Sequence, residues 1–179
     1  MYGMIHRAAR QMIRDSNDAE AWVRVLNATG LEDDAFISAQ VYSDEVTFNL
    51  IGAISNELGT PVPDLLVQFG RYWVAFAASS PYSQILSLAG DDIATFIGNL
   101  DRTHASVKAS MPGAVLPSFL LVRADERSLQ VAYRSPRQGL EPFVLGLLQG
   151  LLEHFNEKGD VTEIGPSQDG VDFLIRFAA

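Results

Sequence analysis

The chain has 179 residues, 47% of them apolar, which is enough for one globular domain with a sizeable core. Its formal net charge of −9 disfavours general binding to nucleic acid and attraction to an anionic membrane. The absence of cysteine excludes disulfides, zinc–thiolate sites, iron–sulfur clusters and a thiolate nucleophile, and it fits a cytoplasmic location. No apolar run is long enough to cross a bilayer, and polar residues interrupt the N-terminus where a signal peptide would be apolar.

The first two-thirds of the chain has the apolar spacing of amphipathic helices. Asp18 is a predicted N-cap, and Ser43 and Gly59 are predicted to begin and end another helix. Ser80 and Pro81 are predicted to separate two later helices. The predicted helices cover residues 3–14, about 18–30, 43–59, 64–78, 82–88 and 90–111, and residues 31–42 are predicted to be irregular.

The last third of the chain changes to the two-residue period that is typical of β-strands. Two predicted hairpins flank a long apolar helix. The order β-β-α-β-β predicts a four-stranded antiparallel sheet with the helix packed on it, and the fold class is therefore α+β. The predicted strands are Ser118–Arg123, Leu129–Tyr133, Val161–Ile164 and Val171–Phe177, and the predicted helix is Leu140–Asn156.

The chain contains three histidines, and their settings differ. His6, near the N-terminus, is predicted to be solvated, and His154, on the flank of the last helix, is predicted to lie at the surface. His104 lies between Leu100 and Val107 on the apolar stripe of its helix. It is therefore predicted to point towards the interior.

Two interpretations of His104 are open. The commoner one is a core histidine whose polar atoms are satisfied by hydrogen bonds. The other is a metal ligand. No cysteine is present and no histidine or acidic residue follows at ligand spacing, so a closed four-ligand zinc site is not available. One protein ligand suffices when a porphyrin supplies the other four, and a proximal histidine is the usual arrangement in haem proteins.

A second group of polar residues lies about thirty residues after His104. Tyr133, Ser135 and Arg137 occupy alternate positions, and Pro136 favours extended backbone before it, so the three side chains are predicted to share one face. All three donate hydrogen bonds to an anion. One interpretation is a solvated strand end. The other is a site for the two propionates of a haem, which would explain this group and His104 together.

These segments resemble the H-NOX (haem–nitric oxide/oxygen binding) domain of bacterial gas sensors, which is related to the haem domain of soluble guanylate cyclase. The resemblance covers essentially the whole chain. It implies a single domain, residues 1–179, with a helical distal part (1–60), a sheet-containing proximal part (61–179) and a haem between them. The segments that carry the resemblance are Met1-Tyr2-Gly3 with Ile5, His104 with Met111-Pro112-Gly113-Ala114-Val115-Leu116-Pro117-Ser118-Phe119, Tyr133-x-Ser135-x-Arg137, and Gly139-Leu140-Glu141 with Gly146-Leu147.

The resemblance implies a role for each matching residue. His104 would be the proximal ligand of the iron of haem b. Tyr133, Ser135 and Arg137 would hold the propionates, and Pro117 would press on the macrocycle and bend it. The positions around the haem would be Ile5, Trp73, Val74, Phe143 and Leu147. For Trp73 and Phe143, plain core packing is an equally open interpretation.

The resemblance also predicts which gas is bound. Oxygen-binding members place a tyrosine on the helix after the propionate motif, and that position falls at Phe143 or Pro142 here. Neither side chain donates a hydrogen bond, which bound dioxygen needs and nitric oxide does not. The expected ligands are nitric oxide and carbon monoxide, with oxygen excluded. The indole N–H of Trp73 is the feature that opposes this expectation.

The expected output is contact with a separate signalling protein, either a histidine kinase or a cyclic-di-GMP enzyme, because the chain ends soon after Phe177. No catalytic role is expected. Three alternatives are an oxygen-binding H-NOX domain, a haem enzyme such as a peroxidase or an NO-detoxifying protein, and a haem-free module that binds an organic anion. A haem enzyme would need a distal acid–base group, for which the sequence offers no histidine.

Overall fold

A computed structural model of the chain describes residues 1–16, 19–32, 36–79, 83–167 and 170–178. Within these residues it contains seven helices and one four-stranded sheet, so the predicted α+β class is confirmed. The elements are α1 (Gly3–Asp15), α2 (Ala19–Thr29), α3 (Asp44–Leu58), α4 (Val62–Ser79), α5 (Ser83–Ser87), α6 (Ile93–Ser110), β1 (Ser118–Asp125), β2 (Ser128–Arg134), α7 (Glu141–His154), β3 (Gly159–Ser167) and β4 (Gly170–Phe177).

Several helix ends follow the capping chemistry that the sequence predicts. The Ser43 hydroxyl accepts the Val46 N–H, and Gly59 ends α3 in the left-handed conformation with φ of 61°. The Asp92 carboxylate accepts the Thr95 N–H at 2.8 Å and begins α6. The predicted cap at Asp18, the predicted break at residues 80–81 and the tip of the second hairpin at residues 168–169 lie outside the described residues.

The sheet has the strand order β1-β2-β4-β3, and every neighbouring pair is antiparallel. The strand β2 lies inside the sheet, and its Tyr133 pairs with Phe119 on β1 and Val171 on β4. The strand β3 is longer than predicted, because its edge pairing continues through a bulge between Glu163 and Gly165. The helix α7 packs against this sheet, and no described helix has the length and apolarity that crossing a membrane requires.

Two apolar clusters form the core. One joins α1, α2 and α3 to the first half of α4, and the other joins the second half of α4, α6 and α7 to the sheet. Leu65 and Phe69 belong to the first cluster, whereas Val74 belongs to the second. Because α4 contributes buried residues to both clusters, it connects the two parts. The predicted division between residues 60 and 61 stays a prediction.

The helices α4 and α7 are in contact through their backbones. A Cβ atom added to Gly146 would lie 2.1 Å from the Val67 carbonyl oxygen, and one added to Gly70 would lie 2.2 Å from that of Phe143. No side chain larger than hydrogen fits at either position without displacing a helix. The glycines therefore fix how closely α7 approaches the helix that spans both clusters.

The prediction that His6 is solvated is wrong. His6 is 1% exposed, and its Nε2 lies 2.9 Å from the Thr47 hydroxyl. Its ring packs 4.7 Å from Phe36 and 5.1 Å from Tyr42. Burial, followed by the positive N-terminal amine, lowers the pKa of His6 to about 4, so the ring is neutral at physiological pH. By contrast, His154 is exposed as predicted.

Candidate functional site

The helix α6 carries His104 to the edge of the second cluster, where the side chain is half-buried. Its Nδ1 lies 2.9 Å from the carbonyl oxygen of Pro117, which can only accept a hydrogen bond. Nδ1 must therefore carry the proton, which leaves a lone pair on Nε2 when the ring is neutral. Burial lowers the pKa of His104, although Pro117 and Asp101 act in the opposite direction. The neutral ring with a free lone pair on Nε2 is the form that binds metals.

The segment that holds His104 is itself fixed by Asp101, which the sequence analysis did not single out. The Asp101 carboxylate accepts a hydrogen bond from the Ser118 hydroxyl at 2.6 Å and another from the Phe119 N–H at 2.8 Å. These bonds attach the start of β1 to α6 one turn before His104. The three-residue spacing from His104 is the signal that could have identified Asp101.

Aromatic rings connect His104 to the polar group on the next strand. The Phe119 ring centroid lies 6.1 Å from that of His104 and 5.4 Å from that of Tyr133. Phe119 and Tyr133 are both buried and directly paired across β1 and β2. The sheet register therefore brings the two features that the sequence singled out next to the same phenylalanine.

Tyr133, Ser135 and Arg137 line one cavity of about 470 Å³. The strand β2 ends at Arg134, so the prediction of an extended segment holds only to that residue. The loop that follows still turns Ser135 and Arg137 into the same cavity as Tyr133. Four further residues complete the lining: Gln138, Glu141, Gly170 and Val171.

The three polar residues differ in how many of their hydrogen-bonding groups already have partners within the protein. Burial raises the pKa of Tyr133, so its hydroxyl remains a protonated donor. The Ser135 hydroxyl accepts the Arg137 N–H at 3.1 Å and also hydrogen-bonds to the Tyr133 side chain. The Arg137 guanidinium donates to Asp44 through Nε at 2.9 Å and to the Val115 carbonyl through Nη1 at 2.7 Å. Part of its donor fork remains for an anion.

Asp44 connects this cavity to the helical part of the chain. It begins α3, and it also accepts from the N-terminal amine of Met1 at 3.2 Å. Asp44 and Arg137 are 93 positions apart in sequence. No local pattern could have predicted this pair, because it depends on how the two parts pack together.

The apolar residues that the sequence analysis assigned to the site lie on three helices. Ile5, Trp73 and Phe143 are half-buried against the first cluster, whereas Val74 and Leu147 belong to the second or pack on it. The Phe143 ring lies 5.3 Å from Phe69. These residues therefore come from both sides of the junction that α4 spans.

Other candidate sites have less support in the described residues. A hollow of about 570 Å³ lies between α2 and α3 and is spanned by an ion pair of 2.7 Å between Arg24 and Glu57. It contains none of the predicted site residues. No group of three histidine or acidic side chains in the described part of the chain has the arrangement of a metal site. This leaves His104 as a single candidate ligand.

Comparison with known sequences assigns the family. The Haem-NO-binding family model matches residues 2–163. Soluble guanylate cyclase gcy-33 of Caenorhabditis elegans is 30% identical over 155 residues, and soluble guanylate cyclase 89Db of Drosophila melanogaster is 24% identical over 155 residues. Each alignment covers 87% of this chain, but only 16% of the first cyclase and 23% of the second.

Solved structures share the fold. An H-NOX protein from S. oneidensis in the Fe(II) ligation state, a triple mutant, gives a TM-score of 0.89 at 21% identity, covering 100% of this chain and 97% of that one. An H-NOX protein from S. oneidensis in the Fe(II)NO state gives 0.87 at 22% identity, with 100% of both chains covered. The oxygen complex of an oxygen-binding H-NOX domain gives 0.84 at 21% identity, covering 100% and 96%.

The likeness to both NO-bound and oxygen-bound proteins means that the fold alone does not decide which gas is bound. The match over residues 2–163 is what assigns the family, and it includes His104 and the cavity residues up to Glu141. The chain therefore belongs to the Haem-NO-binding family, the H-NOX type of domain that is related to soluble guanylate cyclase.

Proposed function

We propose that this chain is a haem-based gas sensor that binds nitric oxide and carbon monoxide, with His104 as the proximal ligand of haem b. The observation that carries the proposal is the hydrogen bond between His104 Nδ1 and the Pro117 carbonyl, because it leaves the lone pair on Nε2. When bound, haem supplies an iron with one coordination position for a diatomic gas. His104 on α6 and the donors of the nearby cavity fit such a group.

The second support is the chemistry of the cavity that follows β2. A haem carries two propionates, and Tyr133, Ser135 and Arg137 offer a phenol, a hydroxyl and part of a guanidinium to them. The apolar side chains of α4 and α7 would cover the ring and exclude water. Ile5, Trp73, Val74, Phe143 and Leu147 are the proposed members of this wall.

We propose selectivity for nitric oxide over oxygen from the chemistry of Phe143. Its half-buried ring packs on Phe69 and has no hydrogen to donate to a bound gas. The test is the absorption spectrum of ferrous protein in air, which is expected to lack a long-lived oxygen complex. Phe143→Tyr is expected to gain one, because the phenol supplies a donor. A stable oxygen complex in the unmodified protein would overturn the selectivity.

An oxygen-binding domain is the second candidate, and Trp73 is the observation that favours it. Trp73 is half-buried on α4, packs 5.9 Å from Phe76, and carries an indole N–H that can donate. If the ferrous protein holds oxygen and Trp73→Phe abolishes that complex, this function replaces the first one. Equal oxygen spectra in both proteins would exclude the role of Trp73.

The proposed output is a contact with a separate signalling protein, a histidine kinase or a cyclic-di-GMP enzyme. The relatives named as cyclases are four to six times longer than the part aligned here, so a catalytic activity of the kind their names state is not proposed for these residues. Arg137 and Asp44 couple the proposed propionate site to α3, and Pro117 couples His104 to β1. A change at the site therefore reaches both core clusters.

The haem proposal is tested by the absorption spectrum of the purified protein. A Soret band is expected, and it is expected to be lost in His104→Gly and restored when imidazole is added. His154→Gly is the matched control, because His154 is exposed on α7 and is expected to keep the band. A Soret band that persists unchanged in His104→Gly would exclude His104 as the ligand. Absence of haem from the unmodified protein would favour the haem-free anion-binding module.

The proposed role of Pro117 needs its own experiment. Pro117→Ala is expected to flatten the porphyrin even without a gas, because the pyrrolidine ring that would press on it is removed. Resonance Raman spectroscopy of the ferrous protein reports the out-of-plane distortion. The backbone carbonyl that accepts from His104 is retained in this variant. Unchanged porphyrin modes would show that Pro117 only begins β1.

A further inference from the structure

The cavity that we assign to the propionates contains one acidic side chain. Glu141, the first residue of α7, lines it together with the donors Tyr133, Ser135 and Arg137. Its carboxylate also acts on the Tyr133 hydroxyl, where it adds to the effect of burial and raises the pKa of that phenol. A carboxylate in this cavity repels the anion that the donors Tyr133, Ser135 and Arg137 attract.

The positive charge at this cavity is already matched by carboxylates. Arg137 and the N-terminal amine of Met1 share Asp44, at 2.9 Å and 3.2 Å. When Glu141 is included, these four groups carry two positive and two negative charges. Tyr133 is protonated and contributes a donor but no charge. The cavity therefore offers hydrogen bonds to an anion without offering it net positive charge.

The neighbouring strand does not change this balance. The lining residues Gly170 and Val171 on β4 are uncharged. Beyond them, Arg134 and Asp172 form an ion pair of 3.2 Å, and Asp172 accepts further hydrogen bonds. This pair adds no net charge. Two propionates would therefore enter a group of side chains that cannot neutralise them.

We propose that Glu141 makes the retention of haem proton-linked, so that the occupied cavity binds about one proton more than the empty cavity near neutral pH. The inference rests on the proposed haem function. The proton comes from solvent and is taken up by the carboxylates that would share this cavity, because their like charges repel. Because the occupied state binds the extra proton, haem affinity falls as the pH rises.

The experiment measures the rate at which haem leaves the purified holoprotein for an excess of apomyoglobin. In the wild type the rate is expected to rise at least about fivefold between pH 6 and pH 8. Glu141→Gln is expected to reduce that rise to less than about twofold and to slow haem loss at pH 8. Glu141→Asp, which keeps the carboxylate, is expected to retain the pH dependence.

Glu126→Gln is the matched control, because Glu126 is exposed in the β1–β2 turn and its loss changes the net charge equally. This control is expected to behave as the wild type. A wild-type rate that does not vary with pH overturns the inference without any variant. A Glu141→Gln profile equal to that of the wild type also overturns it. In both cases the haem is still bound, whereas a purified protein without a Soret band overturns the proposed function itself.

Discussion

At the scale of single residues, the geometry of the candidate ligand depends on a carboxylate that is hydrogen-bonded to the neighbouring strand. Asp101 holds the Ser118 hydroxyl and the Phe119 N–H, and so holds the carbonyl of Pro117 opposite His104. Asp101→Ala is expected to lower the free energy of unfolding by about 2 kcal/mol, because a half-buried N–H and a hydroxyl lose a charged acceptor. Urea unfolding of wild type and variant measures the difference.

Asp160→Ala provides the comparison for this prediction. Asp160 is exposed on β3, and its ion pair with Arg176 is 3.6 Å long. Removing it is expected to change the free energy of unfolding by less than about 0.5 kcal/mol. Equal losses in the two variants would mean that the two bonds to Asp101 contribute no more than a surface charge does.

At the residue scale, a residue type and a short spacing were enough to predict which side chains lie together, while their role at a haem stays a prediction. Tyr133, Ser135 and Arg137 were identified by alternate spacing, and they do line one cavity. The prediction for His6 is wrong because it rests on proximity to the N-terminus and not on helical periodicity. His6 lies three residues from both Gly3 and Ala9, which are buried on the same face of α1. Asp44 had no local signal, since its partner is 93 positions away.

At the scale of elements, the contact between α4 and α7 depends on glycine. Gly146→Ala is expected to lower the free energy of unfolding by about 2 kcal/mol or more, because the new Cβ atom would lie 2.1 Å from the Val67 carbonyl oxygen. The overlap involves backbone atoms, so side-chain rotation cannot relieve it. Thermal or urea unfolding at a fixed haem content measures the loss.

Gly98→Ala is the matched substitution in another helix. Gly98 lies in the interior of α6, is exposed, and has no atom within 4 Å of an added Cβ. Alanine there is expected to raise the free energy of unfolding by about 0.5 to 1 kcal/mol, because it reduces the freedom of the unfolded chain and favours the helix. A loss of stability in Gly98→Ala would show that the general effect of alanine, rather than the clash, explains Gly146→Ala.

The sequence predicted the order and type of the elements because each carries its own period and end signals. Ser43 and Gly59 act at the helix ends as predicted, and Asp92 caps the start of α6. The β3 strand was underestimated, because its length depends on pairing with β4 across a bulge rather than on its own pattern. The close contact of α4 and α7 could not be predicted, because a glycine in an apolar helix does not indicate which other helix packs against it.

At the scale of the whole molecule, the two core clusters are joined by α4 and by the contacts of Asp44 with Arg137 and with the N-terminal amine. The buried His6 lies on α1, beside this same junction. Its ring contacts Tyr42, and the carbonyl of Tyr42 accepts from the N-terminal amine at 2.7 Å. The buried ring of His6 therefore lies close to the contacts that hold both parts together.

The burial of His6 makes the stability of the fold dependent on pH. The pKa of His6 is about 4 in the folded chain and about 6.5 when the histidine is exposed, so between these values only the unfolded chain binds the proton. The stabilisation is complete above pH 6.5 and is lost as the pH falls towards 4. It amounts to about 3 kcal/mol. The free energy of unfolding, measured in urea at pH 7 and at pH 4.5, is expected to fall accordingly.

Other groups also titrate in this range, so the variant His6→Phe isolates the contribution of His6. Phenylalanine keeps an aromatic ring against Phe36 and Tyr42 but binds no proton. Its loss of stability between pH 7 and pH 4.5 is expected to be smaller than that of the wild type by about 2 to 3 kcal/mol. His154→Phe, which removes an exposed histidine, is expected to leave the loss unchanged. If His6→Phe and the wild type lose the same free energy of unfolding between pH 7 and pH 4.5, the buried His6 ring accepts a proton without destabilising the fold. The burial of His6 then does not determine stability in acid.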